Sequence, residues 1–282
     1  MIEKIILLTL ATSPVLLLLF FVYQKDKYEK EPFGMLLKAF LLGCLSALPA
    51  IFMEEFLSSL YDGSLFSRMP PAFSGIYEGF VVAGLSEELC KLFFLFIAVW
   101  GSKHFTEYFD GVVYAVFVSL GFAAVENVMY VFSESGFFSS IMTGSMRAVL
   151  SVPAHFLFGV AMGYWFALAK FTPSKRAEYL GLAFIIPILL HGTFDSLLMV
   201  PGALGDGSTW LSLLLLPAFI FFDIKLWKSG IRRLKEMQRM TAVQHGDEEE
   251  APPPNEEHGE QSQGSNNNTK GDPFTGFNWD VK

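Results

Sequence analysis

Residues 76–99 read IYEGFVVAGLSEELCKLFFLFIAV. The run is apolar and long enough to cross a bilayer as a helix, yet Glu87, Glu88 and Lys91 sit near its middle. A charge at the centre of a membrane helix costs about 2.5–3.5 kcal/mol on insertion scales. Three such groups within one turn and a half belong in a bundle interior or a wet cavity, away from lipid. This stretch points to an all-α, polytopic membrane protein with a polar site inside its helices.

Six further apolar runs flank it, near 5–23, 33–53, 110–132, 146–169, 179–199 and 209–227, which gives seven expected spans. Hydrophobic residues make up 52% of the 282, above the roughly 45–50% of soluble domains. Glu126, His155, His191 and Asp195 also fall inside these runs, at positions expected to be inside lipid. The two cysteines, Cys44 and Cys90, are too few for a disulfide framework and read as small buried side chains. The net charge of −8 is concentrated at the end of the chain: residues 241–282 hold nine acidic and two basic residues. That stretch is rich in Pro, Gly, Asn, Gln and Glu and is expected to be a disordered acidic tail. Phe274, Phe277 and Trp279 near its end form a weak candidate docking motif, an inert tail being the favoured reading.

Basic residues order the loops. Lys25, Lys27 and Lys30 follow the first span, Lys103 the third, Lys170, Lys175 and Arg176 the fifth; the intervening loops carry little beyond Arg68. Positive charge stays on the cytoplasmic side, so the N-terminus is expected outside and the tail in the cytoplasm. Residues 1–227 then form the transmembrane domain, 228–240 a basic juxtamembrane amphipathic helix lying on anionic headgroups, and 241–282 the tail. With 1.5 Å of rise per residue, Glu87, Glu126, His155, His191 and Asp195 reach overlapping depths, roughly 6–17 Å below the outer surface. One water-containing pocket in the outer half of the bundle is the expectation.

Helical spacing sets the details. Glu87 and Lys91 are i and i+4, and Glu88 and Lys91 i and i+3, so the lysine can neutralise one carboxylate and free the other. Phe122 shares a face with Glu126, and Gly121, Ala123 and Ala124 permit close helix approach. Pro153 and Pro187 precede His155 and His191 and are expected to bend their helices there. Asp195 lies one turn after His191 and can orient its ring. Arg147 reads as a headgroup anchor, with a substrate carboxyl as the alternative partner, and Asp110 as the N-cap of the fourth span. No Walker loop, dinucleotide fingerprint, HExxH or paired CxxC occurs, so no cofactor, no metal ligand and no nucleic-acid partner is assigned.

Glu87-Glu88-x-x-Lys91, Phe122-x-x-x-Glu126 and His191-x-x-x-Asp195 resemble the EExxK, FxxxE and HxxxD motifs of the PrsW family of intramembrane proteases. Tyr28-Glu29-Lys30-Glu31-Pro32, Asp110-Gly111-Val112-Val113-Tyr114-Ala115 and the His155 region also resemble that family, in order, over about residues 20–200. The related CAAX prenyl endopeptidases resemble EExxxR and FxxxH instead, so Lys91 and Glu126 favour PrsW. The resemblance implies a hydrolase that cuts a membrane-anchored protein, typically an anti-sigma factor at its outer side, as a signalling step. On that footing Glu87 or Glu88 activates a water. His191, with Asp195 behind it, and His155 stabilise the oxyanion or protonate the leaving amine. Lys91 balances the glutamate pair, and Glu126 belongs to the site without a defined role. The alternatives are a zinc-dependent membrane protease, a proton-coupled transporter or channel, and a non-catalytic scaffold. Oligomeric state is not legible.

Overall fold

A computed structural model describes residues 1–204 and 209–247. Those residues form nine α-helices and no strand: α1 (Ile2–Lys25), α2 (Phe33–Asp62), α3 (Pro71–Tyr77), α4 (Ser86–Val99), α5 (Tyr108–Ser133), α6 (Phe137–Val149), α7 (Ser151–Phe171), α8 (Arg176–Ala203) and α9 (Thr209–His245). A π-helical segment, Glu78–Leu85, joins α3 to α4. By length and composition, five helical stretches can cross a membrane: Ile2–Lys25, Phe33–Asp62, Tyr108–Ser133, Phe137–Phe171 and Pro173–Ala203. The expected third span is divided among α3, the π segment and α4, and the expected seventh forms the first half of α9. The count of seven therefore rests on the sequence runs alone.

α5 and α7 form the centre. Nearly every side chain from Ala154 to Ala169 is buried, as are those from Phe109 to Val116. Small residues make this possible. A Cβ on Gly163 would lie 2.5 Å from the Gly111 carbonyl oxygen, so the two backbones touch. Gly121 does the same for α2, where a Cβ would lie 2.2 Å from the Phe40 carbonyl oxygen, as the small residues of the FxxxE segment suggested. Large apolar side chains point outward from α1, α2 and α9, among them Leu17, Phe20, Phe52, Phe56, Leu213 and Phe221. In water such a belt would drive aggregation; in a bilayer it is the lipid-facing surface of a multi-pass protein.

Three local expectations change. The N-cap of α5 is Glu107, with Asp110 three residues later completing a capping box. Asp110 Oδ2 accepts the Thr106 and Glu107 amides at 2.9 and 2.7 Å. The expected 146–169 span is two helices, α6 and α7, broken at Leu150, three residues before Pro153. Pro153 lacks the N–H that would bond Val149, so the break falls where its hydrogen bond is missing. α8, by contrast, passes through Pro187 and Pro201 without interruption.

α9 runs unbroken through the residues assigned to the last span, the juxtamembrane helix and the first residues of the tail. Its second half packs one face onto protein: Leu234, Met237 and Thr241 are buried, and Tyr164 donates to Glu236 at 2.9 Å. The tail from residue 248 onward, with Phe274, Phe277 and Trp279, lies outside the described residues.

Candidate active site

The polar groups picked out in the sequence meet in one network. α4 presents Glu87 and Glu88 in its first turn and Lys91 one turn on. Lys91 Nζ donates to Glu87 Oε2 at 2.9 Å and Glu88 Oε1 at 2.8 Å, and lies 3.1 Å from His155 Nδ1 on α7. An ammonium only donates, so His155 Nδ1 accepts; its Nε2–H then donates to Glu126 Oε2 on α5 at 2.8 Å. This fixes the ring as the neutral Nε2–H tautomer. Arg147 closes the far side of Glu126 at 2.9 Å and donates to Asn127 Oδ1 at 2.8 Å. It belongs to the site, and the headgroup-anchor reading is set aside.

His191 of α8 sits between two carboxylates. Nδ1 is 2.8 Å from Glu88 Oε1 and 3.9 Å from Glu87 Oε2, and Nε2 is 3.2 Å from Asp195 Oδ2. Carboxylates accept only, so this geometry is satisfied when both ring nitrogens carry protons. The Phe158 ring stacks on His191 at 4.7 Å, and the Phe122 ring covers Lys91 Nζ at 4.2 Å. Four carboxylates thus face Lys91, Arg147 and His191 behind an aromatic screen, which is how ion clusters persist in low dielectric.

Local structure aims these groups. The π segment ends at Leu85, immediately before Ser86 and Glu87. Its wider coil lets Gly79 press against α8, where a Cβ would lie 2.5 Å from Ser196 Oγ. α4 therefore starts beside His191. Ser119 Oγ donates to the His155 carbonyl oxygen at 2.7 Å and pins α5 to α7 at the level of the site.

The network borders a cavity of about 580 Å³. Glu87, Glu126, Arg147, His155, His191 and Asp195 line it, whereas Glu88 and Lys91 lie behind the wall and are fully buried. The volume falls within the roughly 300–1,000 Å³ of ligand sites, enough for a short extended peptide segment with water. The sequence reading missed Glu54, Glu55 and Glu78, which also line it. The first two lay beyond the expected end of the second span, but α2 continues to Asp62 and carries them onto the wall.

The donors were tested against a metal. Glu87, Glu88, His155 and His191 offer ligand atoms all within 4.8 Å of one another. Two carboxylates and two imidazoles are donors that zinc takes, and Glu88 Oε2 is buried without a hydrogen-bond partner. By type and spacing the residues fit a divalent ion. Lys91 Nζ competes for three of the four and must withdraw for one to bind.

Over residues 31–222 the chain matches the family described as PrsW family intramembrane metalloprotease. It is similar to "Protease PrsW" of Clostridioides difficile (strain 630), 40% identical over 235 residues that cover 83% of this chain and 92% of the relative. It is also similar to the "Protease PrsW" of Geobacillus kaustophilus (strain HTA426), 35% identical over 82% of this chain and 91% of the relative. The Bacillus subtilis (strain 168) relative of the same name is 33% identical over 82% and 95%. No solved structure matches.

Proposed function

Since the chain belongs to the PrsW family of intramembrane proteases, we propose that it cuts a single-span membrane protein in the outer half of the bilayer with a water activated by Glu87. It is a peptidase in a multi-pass membrane protein. The observation that carries the rest is the position of Glu87: it lines the cavity with His155, His191 and Asp195, while Glu88 stands behind it, bound to Lys91 and His191.

In this mechanism the Glu87 carboxylate takes a proton from water as the oxygen attacks the peptide carbonyl. His191 turns its Nε2–H from the longer contact with Asp195 to the oxyanion or gives that proton to the departing nitrogen, and the proton held by Glu87 then restores the imidazolium. Glu88 fixes Lys91 and His191, and Lys91 keeps the charge of the glutamate pair in balance. Glu126 and Arg147 hold His155 in its neutral tautomer. We infer the substrate to be an anti-sigma factor or similar single-span regulator, in line with the resemblance in the motifs. The outside N-terminus and cytoplasmic tail rest on the Lys and Arg distribution, and the division at 227 and 240 on composition. In proteoliposomes, Glu87→Gln should abolish cleavage of a cognate single-span protein while expression and melting are kept. Wild-type cleavage by that variant would remove the proposal.

A second reading is favoured by the four-residue donor set and by the family's description as metalloproteases. Glu87, Glu88, His155 and His191 would hold a divalent ion, which supplies Lewis-acid polarisation of the carbonyl and a more acidic water. Lys91 would then turn away from its partners. Cleavage lost on chelation and restored by zinc would select this reading over the metal-free one.

A further inference from the structure

A second set of buried acids lies at the other end of the bundle. Asp26 follows α1, Glu31 precedes α2, and Glu107 and Asp110 open α5; their exposures are 1%, 6%, 2% and 0%. Asp110 is separated from Glu126 by about 24 Å along α5, so this is not the cavity described above. Ligand oxygens of Asp26, Glu107 and Asp110 all lie within 4.8 Å of one another.

What surrounds them neutralises them only in part: Lys30 and the Glu31 backbone act on Asp26, and the Glu31 and Asp110 carboxyls face each other. Among the described residues, His245 of α9 is the one basic side chain within 4.0 Å of these carboxylates, 2.5 Å from Glu107 Oε1. Lys25 and Lys27 flank Asp26 in sequence and Lys30 precedes Glu31, yet Lys30 Nζ donates to the Tyr23 carbonyl. Tyr114 donates to Glu31. Both oxygens of Asp26, Oε2 of Glu107 and Oδ1 of Asp110 are buried with no hydrogen-bond partner. Buried carboxylates are paired or coordinate metals, because leaving them bare costs several kcal/mol each.

We propose that Asp26, Glu107 and Asp110, with Glu31 beside them, form a binding site for a hard divalent cation of the calcium, magnesium or manganese class. The donors are all carboxylate oxygens, the ligands these ions take, and a soft-metal site would need sulfur or more nitrogen. The ion supplies the missing positive charge. It also ties the α1–α2 loop to the start of α5 and, through Glu107 and His245, to the last turn of α9. That turn already docks here: the Phe109 amide donates to Thr241 Oγ1 at 3.0 Å, Gln244 donates to the Thr106 carbonyl at 2.7 Å, and the Tyr28 and His245 rings stack at 4.8 Å. The site would thus secure the helix from which the acidic tail departs.

The test uses the full chain in detergent. Manganese is titrated by electron paramagnetic resonance into the wild type and into Asp26→Asn/Asp110→Asn, with calcium and magnesium as competitors. The expected result is one fewer ion per chain in the variant, a count that a metal at the Glu88 site would not alter. Hydrogen exchange on the wild type alone covers the case of a variant that does not fold: calcium or magnesium should slow exchange at residues 26–31, 106–110 and 241–245. Equal manganese counts in two folded proteins would overturn the site. So would a wild type whose exchange at those residues ignores all three ions, its acids then being neutralised by protons.

Discussion

Lys91 Nζ and His155 Nδ1 lie 3.1 Å apart, an ammonium donating to an imidazole in the interior of a membrane bundle. The contact joins the glutamate pair of α4 to the His155–Glu126–Arg147 chain. Removing the lysine leaves Glu87 and Glu88 without their shared cation. Breaking a buried ion cluster by deleting one partner typically costs about 3–5 kcal/mol. Lys91→Met is therefore expected to unfold at markedly lower denaturant in detergent and to lose cleavage. Adding Glu87→Gln and Glu88→Gln to it should recover part of the stability but none of the activity.

Glu126 and Arg147 are 2.9 Å apart and mostly buried. A double-mutant cycle with Glu126→Gln and Arg147→Gln should give a coupling within the roughly 0.5–3 kcal/mol range of contacting residues. Each single should be destabilised, and the double variant should be destabilised by less than the sum of the two singles. Additive values would place Arg147 outside the network.

The α2–α5 contact tolerates no side chain at Gly121, where a Cβ would meet the Phe40 carbonyl at 2.2 Å. Gly121→Leu should lose at least the ~1–3 kcal/mol typical of overpacking. Gly181→Leu, with nothing within 4 Å of its Cβ position, is the control and should melt near wild type.

Chelation separates the two catalytic readings. With Lys91 as the resident cation, exhaustive dialysis against a chelator should leave the cleavage rate within about twofold at a temperature below melting. The melting point itself should fall through loss of the cation at Asp26, Glu107 and Asp110. An inactive chelated enzyme revived by zinc would assign catalysis to a metal.

The site was legible because its residues are costly in a membrane and so stand out. Glu87, Glu88, Lys91, Glu126, His155, His191 and Asp195 were each an exception within an apolar run, and depth along the helices brought them to one level. Arg147 and Glu54 were less legible, since both fall where a span meets a loop and charge is cheap there. Helix α2 simply continues past the expected boundary. The π segment left no trace in the pattern, because it arises from the packing of Gly79 and Gly84 on α8. The capping role of Glu107 was hidden by Asp110, a stronger N-cap type by propensity but three residues too late. The break at Leu150 was anticipated in cause, by Pro153, but not in position.

The most direct test measures single-turnover cleavage of a cognate single-span substrate in proteoliposomes by wild type, Glu87→Gln and Glu88→Gln. General-base catalysis contributes about 10²–10⁴-fold, so Glu87→Gln should lose at least a hundredfold in the cleavage step with substrate binding retained. Glu88→Gln should lose activity together with stability, because Glu88 holds Lys91 and His191. A Glu87→Gln enzyme that cleaves at the wild-type rate would contradict the assignment of Glu87 as the group that activates water.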